Sequence, residues 1–146
     1  MTFAYLYGIL ILGIREEHKE YIEKGRWNMR GLTKEIVAVL PKLYANENKK
    51  SEDVKIIVKY FDPTGSWTWY ATEGEPTGEI IPSGGFKGEP DYKFFGYVKG
   101  FEGELGYFTL GELSTAKEQC RGLQSLPIER DRHFGFEHTL AEVQKI

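Results

Sequence analysis

Two pairs of short β-rich runs, each pair joined by a Gly-containing turn, constrain this chain more than any other feature. VKIIVKYF (54–61) stops at Asp62-Pro63-Thr64-Gly65, and Trp67-Thr68-Trp69-Tyr70-Ala71-Thr72-Glu73 then alternates bulky and small side chains at period two. Strand, turn and strand in succession predict an antiparallel hairpin with Trp67 and Trp69 on one face. KFFGYVKGF (93–101) and ELGYFTL (104–110) flank Glu102-Gly103 and predict a second hairpin.

Helical signals lie outside these runs. Leu32, Ile36, Val39, Leu40 and Leu43 recur at helical spacing, with Thr33 placed to cap and Pro41 to end or kink the helix. The spacing predicts a short amphipathic helix over about 32–40, followed by a polar surface loop at 46–53. Gly74, Pro76, Gly78, Pro82, Gly84, Gly85, Gly88 and Pro90 argue against any regular element in 74–91. That stretch reads as a long surface loop, or as a small hairpin around Glu79-Ile80-Ile81. Residues 111–118 suit a short helix with Leu110 and Leu113 inward, 120–126 a loop, 127–131 an extended segment and 140–146 a helical turn. The sum is an α+β domain: a mostly antiparallel sheet of about four to five strands in hairpins, with an N-terminal helix and short C-terminal helices. One sheet face should meet the helices and the other face water or a partner.

Composition narrows the class further. A chain of 146 residues with 40% apolar side chains has enough material for one core and too little for two ordinary domains, and it is not disordered throughout. The single cysteine, Cys120, makes no internal disulfide, which fits a reducing, cytoplasmic setting. Nineteen basic and 22 acidic side chains give a net charge of −3 with no Lys/Arg block, unlike the footprint of a strong duplex binder.

Residues 1–28 stand apart. Fourteen uncharged residues, MTFAYLYGILILGI, give way to REEHKEYIEKGRWN. The run is shorter than the roughly 20 residues of a bilayer span, and no basic residue precedes it as a signal peptide requires. Two readings stay open: a buried strand or helical arm, or a translated leader ahead of a start at Met29. Lys24-Gly25-Arg26-Trp27 supports the second, since its codons can form a purine-rich tract where a ribosome-binding site would sit. The segment carries four basic and four acidic residues, so the net charge is the same under either reading.

Candidate functional residues are few. Nine Phe, nine Tyr and three Trp concentrate in the strands, where most of them are expected to build the core. Exposed rings would serve a protein interface or stack single-stranded bases, and the acidic balance disfavours the second. Trp67, Trp69 and Tyr70 are the interaction candidates on the first hairpin, with Glu73, Glu129, Arg130 and Asp131 as a charged cluster. In the extended 127–133 stretch, Glu129, Asp131 and His133 share one side and Arg130 and Arg132 the other. Two carboxylates and an imidazole could move a proton, but an ion pair with an arginine, or a backbone cap, explains the carboxylates more simply. His133 and His138, five apart, match no zinc spacing, and 83–88 lacks the ending of a phosphate loop. No catalytic residue, metal or cofactor is assigned.

LTKEI (32–36), LPKLY (40–44), WTWYATE (67–73), FFGYVKGFEGELGYF (94–108), GEL (111–113) and LPIERD (126–131) occur in this order. Together they resemble an uncharacterised domain-of-unknown-function family of small proteins from bacteria, plasmids, conjugative elements and phages. The likeness covers about 29–146; 1–28 lies outside it, and 74–91 looks like an expanded connection. Members of the family typically begin near LTKEI, which favours Met29 as the start. The resemblance supplies no catalytic residue or cofactor. It implies an accessory role on a mobile element, and some relatives look like inhibitors of RNA-guided DNA nucleases, whose basic channels an acidic surface could occupy. The expected function is therefore a non-enzymatic interaction domain with a protein partner, such as an RNA-guided nuclease, and no membrane association. The alternatives are a single-stranded nucleic-acid binder using the strand aromatics, and a hydrolase using Glu129, Asp131 and His133, with Glu73 in the same pocket.

Overall fold

A computed structural model describes residues 30–118 and 125–146. The readings of 1–28, of Met29 as a start and of Cys120 with the loop around it fall outside the described residues. Five antiparallel strands form one sheet in the order β4-β3-β2-β1-β5: β1 Val58–Phe61, β2 Thr68–Ile80, β3 Pro90–Lys99, β4 Gly103–Thr109 and β5 Glu129–Arg130. Among the described residues three short α-helices accompany it: α1 Lys34–Val39, α2 Leu110–Thr115 and α3 Leu140–Gln144. This is the α+β class the runs and turns predict.

Each helix starts where a threonine can accept a backbone N–H. Thr33 Oγ1 takes Ile36 N at 3.1 Å, Thr109 completes a reciprocal capping box with Glu112, and Thr139 Oγ1 takes Glu142 N at 3.3 Å. Pro41 follows the C-cap of α1, so that helix stops as expected.

The core lies on both faces of the sheet. On one face Ile36 of α1 and Leu110 and Leu113 of α2 meet Val58, Tyr60, Ala71, Tyr92, Phe94 and Phe108. Phe94 is its centre, with ring centroids 5.4–6.2 Å from Phe108, Tyr60 and Tyr92. The Tyr60 hydroxyl, fully buried, donates to Gly31 O at 2.7 Å and so remains satisfied. On the second face Leu140 and Val143 of α3 pack on Val54, Ile56, Tyr70 and Tyr97. The helices therefore divide between the faces. The reason lies in 54–58: Val54 and Ile56 belong to the second core while Ile57 and Val58 belong to the first, and Ile56 N donates to His138 O beside α3.

The largest departure from expectation is at 74–91. β2 continues to Ile80 and β3 begins at Pro90, so only 81–89 is a connecting loop. Two physical features let Gly74, Pro76 and Gly78 sit in a strand. β1 pairs only with 68–71, so beyond Ala71 one side of β2 carries no ladder and the missing N–H of Pro76 costs nothing there. The β2–β3 register also shifts between Ala71 and Glu73 and again between Pro76 and Ile80, where Gly78 takes φ +91°.

Candidate functional site

The β1–β2 and β3–β4 turns meet at one end of the sheet and bring three aromatic rings together there. Trp67 leads into β2, and its ring centroid lies 6.0 Å from Trp69 and 5.8 Å, edge-on, from Phe101 in the β3–β4 turn. Trp69 is half-buried against the core, Trp67 is 38% exposed and Phe101 is 97% exposed. A Cβ on Gly100 would fall 2.5 Å from the Trp67 ring, so glycine at that position lets the indole lie on the neighbouring turn. A phenylalanine side chain left in water forgoes roughly 1.5–3 kcal/mol of burial, and the fold makes no use of this one.

The turn carrying Trp67 is fixed by Asp62. Its carboxylate accepts Thr64 N at 3.0 Å and pairs with Lys117, while Asp62 N donates to Trp67 O at 3.0 Å. Desolvation alone would raise the Asp62 carboxyl. The hydrogen bonds from Lys117 and Thr64, together with the Lys117 charge, outweigh it and hold the group below the usual carboxylate range. A depressed pKa contributes stability above the unfolded value near 4, and that contribution is lost as pH falls through the lower folded value. Asp62→Asn should therefore lower the urea midpoint at pH 7, for a stability loss of under about 1 kcal/mol in so small a pair, with the difference from wild type closing as pH falls below the usual carboxylate range.

The charged candidates lie beside this end. Phe61 and Glu129 face each other across β1 and β5, as do Tyr60 and Arg130. Asp131 follows, with its carboxylate 3.5 Å from Lys59 Nζ and accepting His133 N at 2.9 Å. The simpler expectation for this carboxylate was an arginine or a backbone cap; the cap is present and the cation is a lysine. Lys59 also lies over the rings of Tyr70 and Phe134, at 5.8 and 5.7 Å. Arg130 Nε donates to Arg30 O at 3.1 Å. Asp131 and Trp67 line one shallow hollow together with Lys59, Asp62 and Ser66.

Tyr70 and Glu73 do not join them. Tyr70 is 5% exposed and its ring packs on Tyr97 and Phe134 on the second face. Glu73 is 4% exposed and lines a separate groove with Tyr44, Phe95, Leu105 and Tyr107. Its Oε1 accepts Tyr44 N at 2.9 Å and its Oε2 accepts Asn46 N at 2.8 Å. Both oxygens thus cap the turn in which Tyr44 takes φ +71°. Glu129, Asp131 and His133 line one hollow with Arg30, Arg130 and Arg132, whereas Glu73 is not part of it. The four-residue pocket expected of a hydrolase is not assembled. The imidazole also gains no carboxylate from Asp131, whose bond goes to the His133 backbone. Among the described residues no group of three or more His, Cys, Asp and Glu could hold a metal ion, and no helix is long and apolar enough to cross a membrane.

The fold and this surface define a small α+β domain with an antiparallel sheet and exposed rings at one end. A family model described as "protein of unknown function (DUF2958)" matches residues 32–146, and the chain belongs to that family. No curated protein and no solved structure matches the chain.

Proposed function

We propose that this chain is a non-enzymatic protein-binding domain that docks through its aromatic end, with Trp67 and Phe101 as anchors and Asp131, Glu129 and Lys59 at the rim. The observation that carries the reading is the exposure of Phe101 and Trp67 side by side on two neighbouring turns. Clustered aromatic anchors with a polar rim are the usual energetic centre of a protein interface. A mobile-element accessory role fits a domain of this size, and an RNA-guided DNA nuclease is one partner to try, since its basic channel suits a domain of net charge −3.

A photo-crosslinking amino acid at position 101, incorporated in native cells, tests the proposal. A discrete adduct with another protein is expected at 101 and not at the exposed, distant Glu52; equal labelling at both sites would overturn it. The same rings could stack single-stranded bases, so tryptophan fluorescence with single-stranded DNA and RNA separates the readings. Quenching that weakens with salt would favour nucleic acid, and unchanged emission is expected.

A further inference from the structure

We propose that the groove between Tyr44 and β4 is a second binding site, separate from the aromatic end, and that its ligand is a methylated ammonium group.

Three rings meet in this groove of about 310 Å³, a volume at the lower end of small-ligand sites. Tyr107 of β4 is their centre. Its ring centroid lies 5.1 Å from Phe95 at an interplanar angle of 59°, and 6.5 Å from Tyr44 at 61°. Non-parallel rings around a hollow can present more than one π face to a single cation, which is how aromatic cages hold quaternary ammonium groups.

Tyr44 occupies its place under strain. A φ of +71° is uncommon for an aromatic residue, and glycine or asparagine would adopt that backbone more readily. Burial of the ring does not offset the strain, since Tyr44 is 64% exposed. The ring packs instead on Tyr107, and the two hydroxyls are hydrogen-bonded. Glu73, itself buried, fixes the turn by accepting Tyr44 N and Asn46 N on its two carboxylate oxygens. A strained backbone over-determined in this way, at an exposed aromatic side chain, marks a functional position.

The charge of the ligand follows from the groups that face the rings. Glu47 and Glu73 line the groove against a single lysine, Lys49. The Tyr107 hydroxyl registers both carboxylates: its pKa is raised first by the hydrogen bond with Tyr44, and further by the charges of Glu73 and Glu47. Lys93 Nζ stands 4.8 Å from the Tyr107 ring centroid without lining the groove, so this ring already takes a cation from within the chain.

The methyl groups follow from a shortage of acceptors. Both oxygens of Glu73 are engaged by backbone N–H groups, and Thr72 Oγ1 is hydrogen-bonded to Phe95 O at 3.0 Å. Val54, Leu105 and Leu140 add an aliphatic wall. A bare ammonium entering here would exchange water for few acceptors, whereas a quaternary one carries the same charge with no N–H to satisfy.

Titration of the full chain with choline at constant ionic strength, followed by NMR of the aromatic side chains, tests the proposal. Saturable shifts are expected at Tyr44, Phe95 and Tyr107, with a Kd on the order of 1 mM for so small a ligand. The uncharged tert-butyl analogue of choline, and unmethylated ethanolamine, should each bind at least about tenfold more weakly. Tyr107→Leu keeps apolar bulk and should lose choline binding with an unchanged circular dichroism spectrum. Tyr44→Gly should lose it as well while the urea midpoint stays level or rises, because glycine suits this backbone. Phe101→Ala should bind choline as wild type does, so this result and the crosslinking at position 101 stand or fall separately. Absence of saturable shifts, equal binding of the uncharged analogue, or indifference to Tyr107→Leu would overturn the proposal. A short trimethyllysine peptide then identifies the source: binding tighter than that of choline marks a protein side chain, and weaker binding a free small molecule.

Discussion

Replacing Gly96 with alanine is expected to abolish the native sheet. Gly96 lies in β3 opposite Ala71 of β2 and Gly106 of β4, at the centre of the three longest strands. A Cβ there would fall 1.8 Å from Tyr70 O and 2.9 Å from Ala71 Cα, and both are backbone atoms that no rotamer change can move. Relief requires β2 and β3 to separate where Tyr70 and Ala71 anchor the two cores. The cost should exceed about 4 kcal/mol, a large part of the 5–15 kcal/mol that stabilises a typical domain. Far-UV circular dichroism and urea unfolding of Gly96→Ala check this directly. Gly106→Ala, with open space around its Cβ, is the matched control and should fold normally. A cooperative Gly96→Ala transition within about 1 kcal/mol of wild type would show that the close approach is wrong.

The second large effect is at Glu73, and it decides whether that carboxylate serves a partner or the fold. Two backbone N–H groups donate to it, and the turn it closes holds Tyr44 in left-handed backbone. Bonds to a charged group contribute about 1.5–3 kcal/mol each, and left-handed backbone at a residue other than glycine costs about 1–3 kcal/mol that something must offset. Glu73→Ala should therefore lose about 3 kcal/mol, read as a drop in melting temperature of about 10 °C. Glu73→Gln keeps one carbonyl acceptor and should lose about half as much. The amide exchange of Tyr44 and Asn46 should quicken in both variants. Unchanged stability would instead return Glu73 to the interaction surface.

Much of the architecture is legible in the sequence because it rests on local rules. The two hairpins follow from period-two alternation around short turns, and α1 follows from Thr33, the apolar spacing and Pro41. The strand at 74–80 is not legible, because glycine and proline at that density ordinarily exclude a ladder. They are tolerated only because β1 stops short and leaves one side of β2 unpaired, a fact that depends on the length of another strand. Glu73 was hidden for a similar reason: its partners, Tyr44 and Asn46, lie 29 and 27 residues away and are backbone groups. Tyr70 alternates correctly with Trp69 but faces a second core that exists only because α3 returns to the sheet. Phe101 was readable and missed as a site residue. An aromatic side chain between Gly100 and Glu102-Gly103, in so tight a turn, has no core to reach.

If the aromatic end serves binding, Phe101, 97% exposed, should matter to a partner and contribute little to folding. The most direct measurement is the affinity of the protein crosslinked at position 101 for wild type and for the Phe101→Ala variant, by calorimetry at matched salt. A loss of at least about thirtyfold, about 2 kcal/mol, is expected for anchors at an interface centre, with the urea midpoint of the variant close to that of wild type. Equal affinity for both proteins would contradict the account and move the interface elsewhere on the sheet.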